Sequence, residues 1–269
     1  MIDSHAHIHD TQFESDRDAV IARFFAKGGE AIVTIGTNEK TSKRAISLAK
    51  AYEHIYATIA LHPLHLFDAY PSEDEEVVEE FDKAKYRALA SDDNVVAIGE
   101  VGLDYHHFSD THNIAEIKEL QKAVFVDFIA IANEVEKPLV IHCWDGYDDL
   151  LKILHEYPVE KKGVIHSFIG SWKTAQKFIN LGFVIGLNGI VTYGESYDKL
   201  MRNIDINDVL IETDCPFLPP RPLPRDRRCE PSDVRYVAQK IADVKDIAID
   251  TVIAATARNT KRIFGINVK

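Results

Sequence analysis

Cysteine is scarce in this chain: Cys143, Cys215 and Cys229 are the only three in 269 residues, and none forms a C-x-x-C pair. An odd number at wide spacing argues against a disulfide framework and for a reducing compartment, so a cytoplasmic setting is expected. Long apolar runs are also missing. None approaches the ~20 residues that a membrane helix needs, so no membrane partner is expected. Positive charge is in deficit, with 31 Lys and Arg against 43 Asp and Glu and a formal charge of −12. Such a surface repels nucleic acid and acidic membranes as a whole. An anionic substrate therefore needs a local positive site, which a bound metal could supply. No linker, low-complexity segment or internal repeat stands out, so residues 1–269 are expected to form a single domain. The first residues look functional, which leaves no room for a signal peptide, and nothing points to an obligate protein partner.

What is present is a regular alternation of apolar strand-like runs with longer amphipathic or charged runs. Strands are expected at Met1–Ser4, Ala31–Ile35, Ile55–Ala60, Val95–Gly99, Leu139–Ile141, Gly163–Ile165, Phe183–Gly186 and Val209–Ile211. Helices are expected at about Ser15–Gly28, Lys40–Tyr52, Ser72–Ser91 and Asn113–Glu136. The strands are short, rich in β-branched residues and mostly without polar alternation, as strands buried on both faces of a parallel sheet are. Eight of them with helices between fit an α/β chain folded as a (β/α)8 TIM barrel, typically ~250 residues. A doubly wound open sheet is the alternative. The barrel is preferred because it alone would let candidate ligands on strands one, four, five, six and eight converge.

Those candidates are His5, His7, Glu100, His142, His166 and Asp214. The spacing of His5 and His7 puts both on one face of an extended segment. Each of the others closes a strand-like run, at the catalytic face of the expected barrel. Any one of them alone is better read as a hydrogen-bonded loop or core group; five matching strand ends make that reading fail jointly. Imidazoles and carboxylates suit zinc, manganese, iron, cobalt or nickel. Six ligands exceed one four-coordinate ion, which favours two, with Glu100 or Asp214 able to bridge them. A pair of ions ~4 Å apart can activate water and clamp the group under attack.

At these residues the chain resembles the TatD-type metal-dependent deoxyribonucleases, within the amidohydrolase-like metallo-barrels. The resemblance runs nearly end to end. It is carried by Asp3-Ser4-His5-Ala6-His7, Leu61-His62-Pro63, Gly99-Glu100-Val101-Gly102-Leu103-Asp104-Tyr105, Gln121 with Phe125, Ile141-His142, His166-Ser167-Phe168, Leu210-Ile211-Glu212-Thr213-Asp214, Glu230-Pro231, and Asn259-Thr260 with Phe264. It implies a (β/α)8 barrel, a two-metal site with Glu100 between the ions, and hydrolysis of DNA phosphodiesters. The implied cofactors are two divalent cations, with Zn, Mn, Mg, Ni and Co as candidates. The implied partner is DNA, with single strands or frayed ends included. The chain departs from the family pattern at Trp144, where an arginine is usual, at Ser167 and Ile169, and at Cys229. None of these removes a ligand.

Several residues near the expected site are substrate or catalytic candidates. His62 and His65 follow the third strand and could hydrogen-bond a phosphate or leaving oxygen, His62 having the family match. Asp104 and Tyr105 could orient substrate or the ligands themselves. Trp144 could stack a base, against the alternative of a packed loop tryptophan. Glu212 could anchor a ligand from inside the barrel. His9, His106, His107, His112, His54 and His155 read as surface or loop residues, and Cys143 and Cys215 as packing thiols. The stretch Thr213–Pro231 holds six of the ten prolines and Arg221, Arg225, Arg227 and Arg228. It reads either as an ordered loop that clamps phosphates, chiefly through Arg221 and Arg225, or as arginines paired with acidic surfaces such as Glu73, Asp74, Glu75 and Glu76. The expected chemistry is attack of water on phosphorus, with Asp214 orienting or deprotonating it, Glu100 bridging and His62 assisting. The alternatives are hydrolysis of another ester or amide, such as an aminoacyl ester on tRNA, or a non-catalytic metal-binding protein.

Overall fold

The computed structural model describes residues 1–67, 78–109 and 112–267. Eight strands run in one sheet in chain order: β1 (Ile2–Ala6), β2 (Ala31–Ile35), β3 (Ile55–Ile59), β4 (Val95–Asp104), β5 (Leu139–Trp144), β6 (Gly163–Ile165), β7 (Val184–Leu187) and β8 (Val209–Ile211). Each is parallel to the next. The helices are α1 (Arg17–Ala26), α2 (Glu39–Ala51), α3 (Lys83–Ala90), α4 (Ile114–Glu134), α5 (Tyr147–Glu156), α6 (Trp172–Asn180), α7 (Asp198–Asn203), α8 (Val234–Lys245) and α9 (Ile249–Phe264). This is the expected (β/α)8 barrel. No helix among the described residues is long and apolar enough to cross a membrane.

The strands bury both faces, and the two faces feed different cores. Ala31, Val33 and Ile35 of β2 pack with Val140, Val164, Val184 and Leu210 of later strands and with Phe264 at the end of α9. Ile32 packs instead with the helices, among Val20, Phe24 and Ala45. Period-two alternation thus sorts one strand between an interior and an outer layer. Helix starts are fixed locally: Asn38 accepts from Thr41 N–H to cap α2, and Ser171 accepts from Thr174 N–H to cap α6.

The seam between β8 and β1 is joined just beyond β8. Asp214 N–H donates to His5 C=O at 2.9 Å and His7 N–H donates to Cys215 C=O at 2.7 Å. Asp3, fully buried, accepts from Thr213 N–H at 2.9 Å and from Thr213 Oγ1 at 2.6 Å. Ser4 Oγ donates to Ile211 C=O. This seam sets Asp214 beside His5 and His7.

Three sequence expectations are corrected. The fourth strand does not stop before Glu100 but continues to Asp104, because Gly102 lets it lie against β5: a Cβ there would sit 2.0 Å from His142 O. The acidic helix expected from Ser72 has its first residues outside the described ones. Residues 78–82 are not helical, and α3 begins at Lys83 behind the Asp82 cap. His9 is not a surface residue. It is buried, with Nδ1 2.9 Å from Thr34 Oγ1.

Candidate metal centre

Glu100 is the hub of the strand ends. It lies within β4 and is 5% exposed. Its Oε1 sits 2.6 Å from His166 Nε2, 2.8 Å from His142 Nδ1 and 3.4 Å from His62 Nε2. Its Oε2 faces the other way, 3.3 Å from His5 Nε2. Asp214 Oδ1 completes that second side, 3.5 Å from His5 Nε2 and 3.2 Å from His7 Nε2. The six proposed ligands therefore meet: His142 and His166 at Oε1 of Glu100, His5 at Oε2, and Asp214 joining His5 to His7.

The electrostatics follow from this crowding. Burial would raise Glu100, but His166, His62 and His5 hold it well below the usual carboxylate range. Burial works against Asp214 in the same way, and His7 and His5 bring it down to about 2. His142 is pulled down by burial, yet Asp104 and Glu100 push it up to about 9. His7 and His166 are likewise raised by their carboxylates against burial. His5 lies on the other side of the balance, lowered by burial and by His166. It is fully buried, and neither ring nitrogen has a hydrogen-bond partner among the described residues. A buried imidazole without a partner is costly, and a cation facing Nε2 would satisfy it. Three groups bring one donor atom from each member within 4.8 Å of the others: His5, His7 and Glu100; His5, His166 and Glu212; and His62, Glu100 and His142. The donor set fits first-row divalent cations.

Hydrogen bonds behind the ligands fix their tautomers. His7 Nδ1 lies 3.0 Å from Ile35 C=O, which can only accept, so Nδ1 carries a proton; Nε2, 3.2 Å from Asp214 Oδ1, is the nitrogen that would face a cation. His166 is the exception: its Nδ1 lies 3.4 Å from Glu212 Oε1 without a hydrogen bond, while Glu212 accepts from Ser167 N–H at 2.6 Å. His142 Nε2 is 2.9 Å from Asp104 Oδ2. Asp104 is held in turn by Gln121, which accepts its N–H and donates to its carbonyl. His62 differs in kind. Its Nδ1 accepts Leu64 N–H at 3.2 Å, and burial keeps the ring's pKa low. The proton of the neutral ring is then on Nε2, which makes His62 a donor into the centre and a poor ligand.

The remaining candidates are scattered around the mouth. His65 lies edge-on to His62 at 6.3 Å in the turn after β3. Tyr105 donates its hydroxyl to Asp149 of α5 and lies under Lys118 Nζ at 4.2 Å. Trp144 is near-parallel to His107 at 5.2 Å and to His142 at 6.5 Å, with His106 edge-on. Of the family departures, Ser167 accepts from Asn188 Nδ2 and Cys229 is buried with its N–H on Pro216 C=O. Glu230, from the Glu-Pro motif, holds Arg23 of α1 through two hydrogen bonds.

The arginine cluster divides. Arg227 pairs with Asp233 and Arg228 with Asp16 and Glu230. Arg221 and Arg225 instead converge on the Tyr193 ring, at 5.4 and 4.9 Å, and neither has an ion pair among the described residues. Glu73 to Glu76, the acidic partners considered from sequence, lie outside the described residues. Sequence reasoning missed Phe217. It stands three residues past Asp214, 50% exposed, its ring 6.0 Å from that of His7. Nothing in a proline-rich stretch marks one aromatic as facing the centre.

Residues 2–265 match the family model described as TatD related DNase. The chain is 37% identical over 270 residues to a Bacillus subtilis protein named uncharacterized metal-dependent hydrolase YabD, covering 99% of this chain and 100% of that one. It is 33% identical over 274 residues to the 3'-5' ssDNA/RNA exonuclease TatD of Escherichia fergusonii, covering 99% and 100%. The solved structure of YJJV, a TatD homologue from Escherichia coli k12, is similar with a TM-score of 0.86 at 25% identity, covering 99% of this chain and 98% of that one.

Proposed function

The chain belongs to the TatD-related DNase family and is a metal-dependent hydrolase, and on that premise we propose that it cuts phosphodiester bonds of single-stranded DNA or RNA at a pair of divalent cations. The observation that carries the reading is the division of Glu100, whose two oxygens face two separate sets of imidazoles. His5, His7 and Asp214 would hold one cation, His142 and His166 the other, with Glu100 shared. When bound, such cations offset charge developing on a phosphoryl oxygen and make water acidic enough to attack at neutral pH. Asp214 stays ionised, and in this reading it accepts a hydrogen bond from the attacking water and orients it. His62 donates from Nε2 to a phosphoryl or leaving oxygen. Arg221 and Arg225 bind phosphates away from the reacting one. The buried free thiols Cys143, Cys215 and Cys229 fit a cytoplasmic setting.

The test strips the protein with chelator and resupplies Zn, Mn, Mg, Ni or Co singly. Single-stranded DNA, duplex DNA, RNA and an aminoacyl-tRNA are then offered. Cleavage of the single strands from one end is expected, with up to two ions per chain by elemental analysis. Glu100→Ala should lose metal and activity together. Hydrolysis of the aminoacyl ester with every nucleic-acid backbone left intact would defeat the substrate reading. Full metal occupancy in Glu100→Ala would defeat the bridge.

A further inference from the structure

We propose that Phe217 is a stacking platform for an unpaired nucleobase of the substrate, held next to the hydrolytic centre. The inference rests on the nuclease reading and adds to it the residue that selects for an unpaired base. Phe217 presents a half-exposed aromatic ring at the lip of the buried polar centre, 6.0 Å from the ring of His7. Phe217 is held there by a fixed backbone. Its N–H donates to Asp214 C=O at 3.0 Å, closing a turn on a proposed ligand. The following Leu218 carbonyl lies against Gly189, where a Cβ would approach it to 2.2 Å, so only glycine permits this contact. Tyr193 Oη donates to Pro219 C=O, and Arg221 N–H donates to Thr192 Oγ1 at 2.8 Å. Neighbouring prolines stiffen the same stretch.

Chemistry on the same loop identifies the occupant. Past the anchored prolines come Arg221 and Arg225, both exposed, both on the Tyr193 ring and both without an ion pair among the described residues. A free aromatic face followed by unneutralised guanidiniums is the combination that single-stranded nucleic acid uses, base on ring and phosphate on arginine. A paired base inside a duplex offers no open face, so the platform requires an unpaired one. Trp144, another aromatic at the mouth, already has His106, His107 and His142 around its ring. Among the described residues the only ring against Phe217 is that of His7.

The experiment compares metal-loaded wild type with Phe217→Ala, Phe217→Leu and Phe217→Trp. The substrates are a labelled single-stranded DNA and a set in which each of the terminal nucleotides is made abasic in turn. A stacked base contributes about 5- to 150-fold. Phe217→Ala and Phe217→Leu should therefore lose that much in kcat/KM on intact DNA, while Phe217→Trp keeps it. At one abasic position the wild type should fall by a like factor and Phe217→Ala no further. A disturbance of Asp214 would instead lower both substrates alike, and that result overturns the proposal. So does a Phe217→Ala enzyme that matches wild type on intact DNA. A wild type that cuts no nucleic acid under any metal overturns the nuclease reading and this inference with it. The ring is half exposed, so its removal leaves no cavity and the melting temperature should hold.

Discussion

Asp3→Ala should loosen the barrel at its seam and weaken metal binding in the same step. The Asp3 carboxylate is the buried acceptor for Thr213 N–H and Oγ1–H. Without it the two Thr213 donors lose their partner, at about 1–3 kcal/mol each, and His5 N–H loses a longer hydrogen bond of 3.4 Å. Burial pushes the Asp3 carboxyl well above the carboxylate range, so its removal also relieves an unfavourable group. The net loss then falls at about 2–4 kcal/mol. With an unfolding entropy of ~2.1 cal/mol/K per residue, a chain of 269 residues should melt about 4–7 °C lower. The melt is run in chelator, so that bound metal does not mask the change. Asp214 directly follows Thr213, so calorimetric titration with metal should show affinity reduced about tenfold for each ~1.4 kcal/mol of the loss that falls on the position of Asp214. Thr213→Ser keeps both donors and should behave as wild type. An unchanged melting temperature refutes the hydrogen-bond argument. A lowered one with wild-type metal affinity refutes the coupling between seam and centre.

Arg221→Ala and Arg225→Ala should each flatten the log–log salt dependence of single-strand binding by ~0.7, because neither has an ion pair among the described residues. Arg227→Ala should leave the slope alone and lower stability, since it pairs with Asp233; a salt slope unchanged in all three variants removes the clamp. Asp92, before β4, gives a pH dependence. Burial opposes its ionisation, but Lys50 and Asn94 hold it down to about 2. Its contribution is full above the unfolded value of about 3.9 and fades as the pH falls toward the folded one. The melting deficit of Asp92→Asn should therefore be constant from pH 7 to 5 and shrink below pH 4, whereas a pH-independent deficit contradicts the assignment.

The barrel was legible because its strands are buried on both faces, so that runs such as Ala31–Ile35 and Val209–Ile211 stand out as short stretches rich in β-branched residues. The six proposed ligands were legible because each interrupts or ends such a run. The same rule misled at Glu100. A charge reads as the end of a strand, yet this one sits inside β4 and turns into a polar centre, while Gly102 lets the strand run on. His9 looked like loop polarity because it follows β1 in a turn and its partner, Thr34, is distant in sequence, on β2. The four arginines look alike in sequence; only the fold sets Asp233 and Asp16 beside two of them and Tyr193 beside the others. Tautomers were beyond sequence altogether, since the donor role of His62 depends on one backbone N–H, that of Leu64.

The β8–β1 seam has a consequence in time. His7 and Asp214 are 207 residues apart along the chain, so the early histidines are made well before Asp214 and the latch residue Thr213. A nascent chain can hold the early histidines across that 207-residue separation without owning the hydrolytic centre. The metal centre therefore cannot close before β8 and the residues that follow it have been made and have met β1.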